Sequence, residues 1–244
     1  MRAVIFDFDG VIANSEPVHE AAIRAALRDL GLAAAATWTD WSRYVGHGDR
    51  EAFRRMLADA GMEPLFTPDL LGRFKAQKKV RFEERLATDP PPAYPGSAEL
   101  IRAAAAAPGL AIAVCSGSRP HEILPILRRL EVEGLPRAIT TADDVANTKP
   151  DPEPYSLSAR RLGLSPADCV AIEDTPVGVS AARAAGCVVV AVEQTQPGAA
   201  LRAAGAHAVA PAMINLSVDL LRDFWRAHQA AARRVADSRA HLTA

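Results

Sequence analysis

Cysteine is scarce in this 244-residue chain, which has three, at Cys115, Cys169 and Cys187. They are odd in number, far apart and each set in an apolar stretch. A disulfide framework is therefore excluded, and reduced, buried thiols are expected, as in a cytoplasmic protein. An excess of charge of one sign is also lacking. Lys and Arg number 28 against 29 Asp and Glu, a net charge of −1. That balance excludes a bulk electrostatic grip on nucleic acid or on an anionic membrane surface. No run of about 18 apolar residues occurs, so no membrane-spanning helix is expected. The stretch 103–115 comes nearest, and Pro108-Gly109 breaks it. The apolar start, 1–8, is cut by Asp7 and does not read as a secretory segment. Motifs are missing too. Without G-x-x-x-x-G-K-[ST] there is no nucleoside triphosphate loop of that kind, and H-E-x-x-H and Cys/His zinc spacings are absent. Gly46-His47-Gly48 is too little for a dinucleotide fingerprint.

What is present is apolar and helical. Apolar residues make up 49% of the chain, and 50 residues are alanine, enough for a sizeable core built largely on helices. Short β-branched runs at 2–8, 110–115, 138–141, 168–172 and 187–192, with a weaker one at 206–210, alternate with helical patterns at 96–107, 120–130, 152–162 and 177–185. This alternation predicts an α/β fold, a parallel sheet with helices on both faces and a ligand site beyond the carboxyl ends of its strands. From 16 to 87 no strand is found; helical patterns at 17–30, 38–44, 50–60 and 68–86 predict an all-helical insert. The expected organisation is a discontinuous core of 1–15 and 88–244 with an inserted helical domain of 16–87. The proline-dense return link from Thr88 to Gly96 and the outgoing link Asn14-Ser15-Glu16-Pro17 form a candidate hinge. The C-terminal 218–244 reads as an amphipathic helix running into a polar tail. Leu220, Leu221, Phe224 and Trp225 form its apolar face, for packing on the core or for a dimer contact. The alanine runs 33–36 and 103–107 read as composition bias.

Chemistry concentrates at predicted strand ends. Asp7-Phe8-Asp9-Gly10-Val11 closes the first strand; alternation puts Asp7 and Asp9 on one side, and Gly10 allows a tight turn. A helix cap explains one aspartate, not a pair. Glu173-Asp174-Thr175-Pro176 ends another strand, with Asp174 or Thr175 as a candidate N-cap and Glu173 left over. If the two strands are neighbours, four carboxylates crowd together, repelling by roughly 3 kcal/mol per pair at ~5 Å and an effective dielectric of about 20. A hard divalent cation relieves this, and oxygen ligands favour Mg²⁺; protonation is the alternative. Ser116-Gly117-Ser118-Arg119-Pro120 presents hydroxyl and N–H donors suited to phosphate. Lysine is rare, 4 residues against 24 arginines, so Lys149 in Asn147-Thr148-Lys149-Pro150-Asp151-Pro152 suggests a need for a compact ammonium.

These residues make the chain resemble the haloacid dehalogenase superfamily of phosphotransferases, over roughly 1–215 and with all four motifs in order. The nearer resemblance is to the helical-cap branch that includes phosphoglycolate phosphatases and β-phosphoglucomutase. Asp7-Phe8-Asp9-Gly10-Val11 joined to Glu173-Asp174-Thr175-Pro176-Val177-Gly178 is its most specific part, supported by the Lys149-Pro150 stretch and Tyr94-Pro95-Gly96. The resemblance implies a Rossmann-like core, a helical cap and a Mg²⁺-dependent phosphatase of a small phosphorylated metabolite, monomeric or homodimeric. A sugar-phosphate mutase is the alternative. It implies Asp7 as the nucleophile forming an aspartyl-phosphate and Asp9 as general acid and base. Mg²⁺ would be held by Asp7, Asp174 and the main-chain carbonyl of Asp9, with Glu173 direct or through water. Ser116 would hydrogen-bond the phosphoryl oxygens, beside Gly117 and Ser118, and Lys149 would neutralise them. His19, Arg50, Lys78 and Arg119 become candidate substrate-binding residues, Arg50 for a second anionic group. Having both Asp7 and Asp9 separates the chain from dehalogenases, whose leaving group needs no proton. Where the mutase carries a lysine just before the glycine matching Gly46, this chain has Val45, and its loop to Arg50 is one residue longer. That difference favours hydrolysis.

Overall fold

The computed structural model describes residues 1–242, with side chains described through Arg234. Six strands form one parallel sheet: β1 (Ala3–Phe6), β2 (Ala111–Cys115), β3 (Ala138–Thr140), β4 (Cys169–Glu173), β5 (Val188–Val192) and β6 (Ala208–Ala210). Their spatial order is β3-β2-β1-β4-β5-β6. The chain thus leaves β1 toward one edge and returns to its other side at β4. The carboxyl end of β1 lies at the point where the strand order reverses, the usual crevice of such sheets. In register, Phe6 pairs with both Val114 and Ile172, so the residues following all three strands emerge together.

Pleating divides the strands into a large-residue face and a small-residue face. Val4, Phe6, Ile112, Val114, Ile172 and Val190 pack beneath α4 (Ser97–Ala106), α5 (Pro120–Arg129) and α9 (Val218–Leu242). Ala3, Ala111, Ala113, Cys115, Cys169 and Ala171 face α6 (Glu153–Arg161), α7 (Pro176–Ala185) and α8 (Gly198–Ala203). The small side chains leave room for Tyr155 to be wholly buried over that face. All three cysteines are free and buried, as expected. On α9, Leu221 is buried, Leu220, Phe224 and Trp225 pack against the core, and the Trp225 indole donates to Ala167 O at 2.9 Å. The end of the expected polar tail, 243–244, lies outside the described residues. No helix among the described residues is long and apolar enough to cross a membrane.

Between β1 and α4 stand three helices, α1 (Glu16–Asp29), α2 (Asp49–Asp59) and α3 (Pro68–Thr88). They share an apolar cluster of their own that includes Ile23, Leu27, Phe53, Met56, Leu57 and Phe74. The two links joining this segment to the sheet lie side by side: Asn14 N donates to Pro92 O at 2.9 Å, and Tyr94 N to Ile12 O at 3.0 Å.

Two local readings need correction. Segment 38–44 is not a helix beyond a single 3₁₀ turn, Trp41–Arg43. The Asp40 carboxylate accepts from Ser42 N at 3.0 Å and from its hydroxyl at 2.6 Å, a local pairing that competes with helix, while Trp38, Trp41 and Tyr44 pack ring on ring. The alanine run 33–36 forms a 3₁₀ helix, which leaves its reading as composition bias untouched. Strand β1 stops at Phe6, so a loop rather than the pleat brings Asp7 and Asp9 to one side.

Candidate active site

Four loops meet at the strand ends. Asp7 follows β1, Ser116 follows β2, Lys149 comes from the loop after β3, and Glu173-Asp174 closes β4. Backbone pairing continues one step past the strand, Asp7 N donating to Ile172 O at 3.0 Å. Carboxylate oxygens of Asp7, Glu173 and Asp174 lie within 4.8 Å of one another, all three residues buried. The Lys149 ammonium reaches Asp7 Oδ1 at 2.7 Å, Glu173 Oε1 at 2.6 Å and the Cys115 carbonyl at 3.2 Å.

Two glycines make this crowding feasible. Gly10 has φ +81°, and a Cβ there would sit 1.9 Å from Asp174 Oδ2. At Gly178, on the first turn of α7, a Cβ would lie 2.0 Å from Glu173 Oε1. The glycines of both motifs are therefore the room in which the acids stand. Thr175 is the N-cap of α7, accepting from Gly178 N at 3.1 Å, which leaves Asp174 free to face Asp7.

Burial pushes the carboxyls of Asp7 and Asp174 well up, and the neighbouring acids push the same way. Lys149 opposes this at Asp7, and its own pKa is raised because Asp7 and Glu173 outweigh its burial. One ammonium for three buried carboxylates leaves negative charge uncompensated. Asp174 Oδ1 is buried with no hydrogen-bond partner. An all-oxygen cluster with an orphaned carboxylate oxygen fits a hard divalent cation. Asp7, Glu173 and Asp174 are the side chains that would hold it.

The Asp9 carboxylate is not part of this cluster, though it lines the same cavity as Asp7. It accepts from the hydroxyls of Ser15 (2.5 Å), Ser116 (3.0 Å) and Ser118 (2.7 Å), and lies 3.1 Å from His19 Nε2. Burial alone would raise its pKa, but His19 and these donors hold it far below the usual range. The His19 imidazole is raised despite burial and Lys78, because Asp9 and Glu122 attract its proton.

Asp7, Asp9, His19, Lys78, Gly117, Ser118 and Lys149 line one narrow cavity of 70 Å³ between the sheet end and the helical segment. Ser116 lies just beneath, accepting from Ser118 N at 2.9 Å. Two other candidates fall elsewhere. Arg50 is exposed and stacks over the Phe66 ring at 5.7 Å, outside the cavity, whose wall here is formed by Asp49. Arg119 stands at the start of α5, its Nε 3.6 Å from Asp49 and 3.7 Å from Asp143. Lys78 is buried between Asp49 (2.7 Å) and Glu122 (2.9 Å), an ion pair that ties α3 to α5.

Sequence reasoning missed several members. Tyr155 donates to Glu173 Oε1 at 2.5 Å, yet in sequence it is one more aromatic on an apolar helix face. The Thr195 hydroxyl donates to Asp174 Oδ2 and Gln194 Nε2 donates to Gly10 O at 2.6 Å. The polar run Glu193-Gln194-Thr195 after an all-valine and alanine strand was a legible signal of another loop at the same edge.

Residues 1–186 match the family model described as haloacid dehalogenase-like hydrolase. A phosphorylated carbohydrates phosphatase of Thermotoga maritima is 34% identical over 217 residues, 86% of this chain and 94% of that protein. The β-phosphoglucomutase of Bacillus subtilis is 30% identical over 230 residues, 94% and 97% of the two chains. In structure, a β-phosphoglucomutase from Clostridium difficile superposes with a TM-score of 0.82 at 22% identity, over 94% of this chain and 99% of that one, a likeness of fold. The chain belongs to the haloacid dehalogenase-like hydrolases. Within them it is an enzyme of the phosphoric monoester hydrolase type.

Proposed function

We propose that this protein is a Mg²⁺-dependent phosphatase that hydrolyses a small phosphomonoester through an aspartyl-phosphate on Asp7, with residues 16–87 acting as a cap over the site. Support comes from one observation above all: three buried carboxylates and one ammonium converge at the sheet's switch point, with Asp174 Oδ1 unpartnered. Asp7 Oδ2 is the attacking oxygen, since its Oδ1 is engaged by Lys149. Lys149 then neutralises the phosphoryl oxygens as charge develops, the main demand of phosphoryl transfer. Mg²⁺ bound by Asp7, Glu173 and Asp174 would supply further neutralisation and fix the phosphate in line.

Asp9 carries the proton. Its four donors now hold it as a carboxylate, the form that activates water against the phospho-enzyme. For the first half-reaction it must be protonated. An arriving phosphate draws Ser116 and Ser118 toward its own oxygens, which strips two donors from Asp9 and raises its pKa. Tyr155 keeps Glu173 oriented, and the cap excludes bulk water.

The alternative, a β-phosphoglucomutase-like transfer, needs a cap cation for a second phosphate. The outward Arg50 and Val45 at the mutase lysine position favour hydrolysis. Purified protein with Mg²⁺ should release free phosphate from a panel of phosphorylated metabolites, and EDTA should stop it until Mg²⁺ is returned. Hexose-phosphate isomer formation without net phosphate release would reject the hydrolytic reading. Undiminished activity in chelator would reject the metal.

A further inference from the structure

The loop that leaves β5 carries none of the four acidic or phosphate motifs, yet it reaches the acidic cluster. Gln194 is bonded at both ends of its amide: Nε2 donates to Gly10 O at 2.6 Å, and Oε1 accepts from Met213 N at 2.8 Å. A carbonyl on one side and an N–H on the other fix which way round the amide stands. The loop is thereby strapped to the turn after Asp9 and to the 3₁₀ turn Met213–Asn215. Thr195 is the next residue, so the chain itself sets its hydroxyl in place before anything binds.

That hydroxyl touches Asp174 twice, at Oδ2 and, at 3.1 Å, at the main-chain carbonyl. Two points of contact on one residue fix the rotamer of its side chain. Packing closes the Oδ2 side as well: a Cβ on Gly10 would fall 1.9 Å from Asp174 Oδ2 and 2.9 Å from Thr195 Cγ2. Asp174 Oδ1, by contrast, is buried with no hydrogen-bond partner. One oxygen of this carboxylate is thus engaged within the chain, and one is left free.

Resting on the Mg²⁺-dependent phosphatase reading, we propose that Thr195 is a positioning residue for the cation. It holds Asp174 so that a single oxygen, Oδ1, is presented, and so biases the site toward Mg²⁺ over Ca²⁺. Mg²⁺ demands near-ideal octahedral geometry. Ca²⁺ is larger, gathers about six to eight oxygens and accepts a carboxylate through both of its oxygens. A single oxygen set in advance suits the smaller ion and denies the larger one an extra ligand. Groups that orient a metal-binding side chain typically carry roughly 10- to 100-fold in metal affinity.

The test is thermal unfolding of the full chain, without substrate, in increasing Mg²⁺ or Ca²⁺; the rise in Tm gives an apparent Kd for each ion. Thr195→Val keeps the shape of the side chain and removes the hydroxyl. Its Kd for Mg²⁺ should weaken by at least about tenfold, and its Kd for Ca²⁺ by less. Thr195→Ser returns the hydroxyl and should return the wild-type Kd for Mg²⁺. Thr195→Ala stands in, with the same expectation, if the valine variant does not fold. An unchanged Kd for Mg²⁺ without the hydroxyl overturns the proposal, as do equal losses for the two ions. A Tm lowered in EDTA with both Kd values intact also overturns it, since Thr195 would then only anchor its loop. A wild-type Tm that Mg²⁺ does not move would instead defeat the metal reading, and the role of Thr195 with it.

Discussion

Substituting Asp7 by Asn keeps the size of the side chain and removes its nucleophilicity. Turnover of an aryl phosphate should fall by about 10⁴-fold or more, as when other enzymic nucleophiles are removed, and steady-state phosphate release measures it. Tyr155 offers a subtler test. Tyr155→Phe deletes the 2.5 Å hydrogen bond to Glu173 and leaves a buried carboxylate with one donor fewer. A loss of about 1–3 kcal/mol in stability is expected, read by denaturant unfolding. Gly178→Ala tests space, not chemistry, since its new methyl would occupy the position of the Glu173 carboxylate. Asp7 and Tyr155 act through contacts between chain segments well separated in sequence, with Lys149 and Glu173 respectively.

At the scale of elements, the helical segment is tied to the sheet by few but buried polar contacts. Lys78 on α3 holds Glu122 on α5, and His19 on α1 holds Asp9. On the cap reading proposed above, the segment swings to admit a metabolite, for which a cavity of 70 Å³ between them is small. The links at 12–14 and 92–94, paired by backbone hydrogen bonds, are the candidate hinge for that swing. Glu122→Gln keeps an oxygen to accept from Arg119 N, which now donates at 2.7 Å, but it loses the charge facing Lys78. Amide exchange along α3 should quicken in this variant, while β1 and β4 stay protected. Equal protection of α3 in both proteins would show that the ion pair does not hold the closed arrangement.

For the whole molecule, charge and pH set two expectations. Cation binding to the folded cluster and not to the unfolded chain raises stability by about 2.7 kcal/mol at a hundredfold excess over Kd. Mg²⁺ should therefore raise Tm, and Asp174→Asn should abolish the rise. The second expectation concerns His207, beside α9. Burial, with help from the Arg183 guanidinium and from His228, pushes its pKa down to about 4, and its Nδ1 accepts from Val189 N at 2.8 Å. A depressed histidine pKa means the unfolded chain binds the proton that the folded chain refuses. Stability should thus fall as pH drops from about 6.5 to about 4, and rise again on the way back. His207→Asn, which retains an acceptor, should flatten that part of the stability profile in thermal unfolding.

Strand and helix alternation, the position of the insert and the acidic strand ends follow from local patterns: apolar periodicity, proline and glycine punctuation, and carboxylates too costly to bury without a partner. Those patterns depend on neighbours in sequence, so the chain alone determined the sheet, the helical segment and the identities of Asp7, Asp9, Lys149, Glu173 and Asp174. Tertiary structure decided which helical-segment side chains face the cavity. At the start of α2, Asp49 lines the cavity while Arg50 is exposed over Phe66, and no periodicity records which of the two faces inward. It likewise decided the roles of Tyr155, Thr195 and Glu122, because each is defined by partners that only the packing of elements around the sheet brings close: Glu173, Asp174 and Lys78.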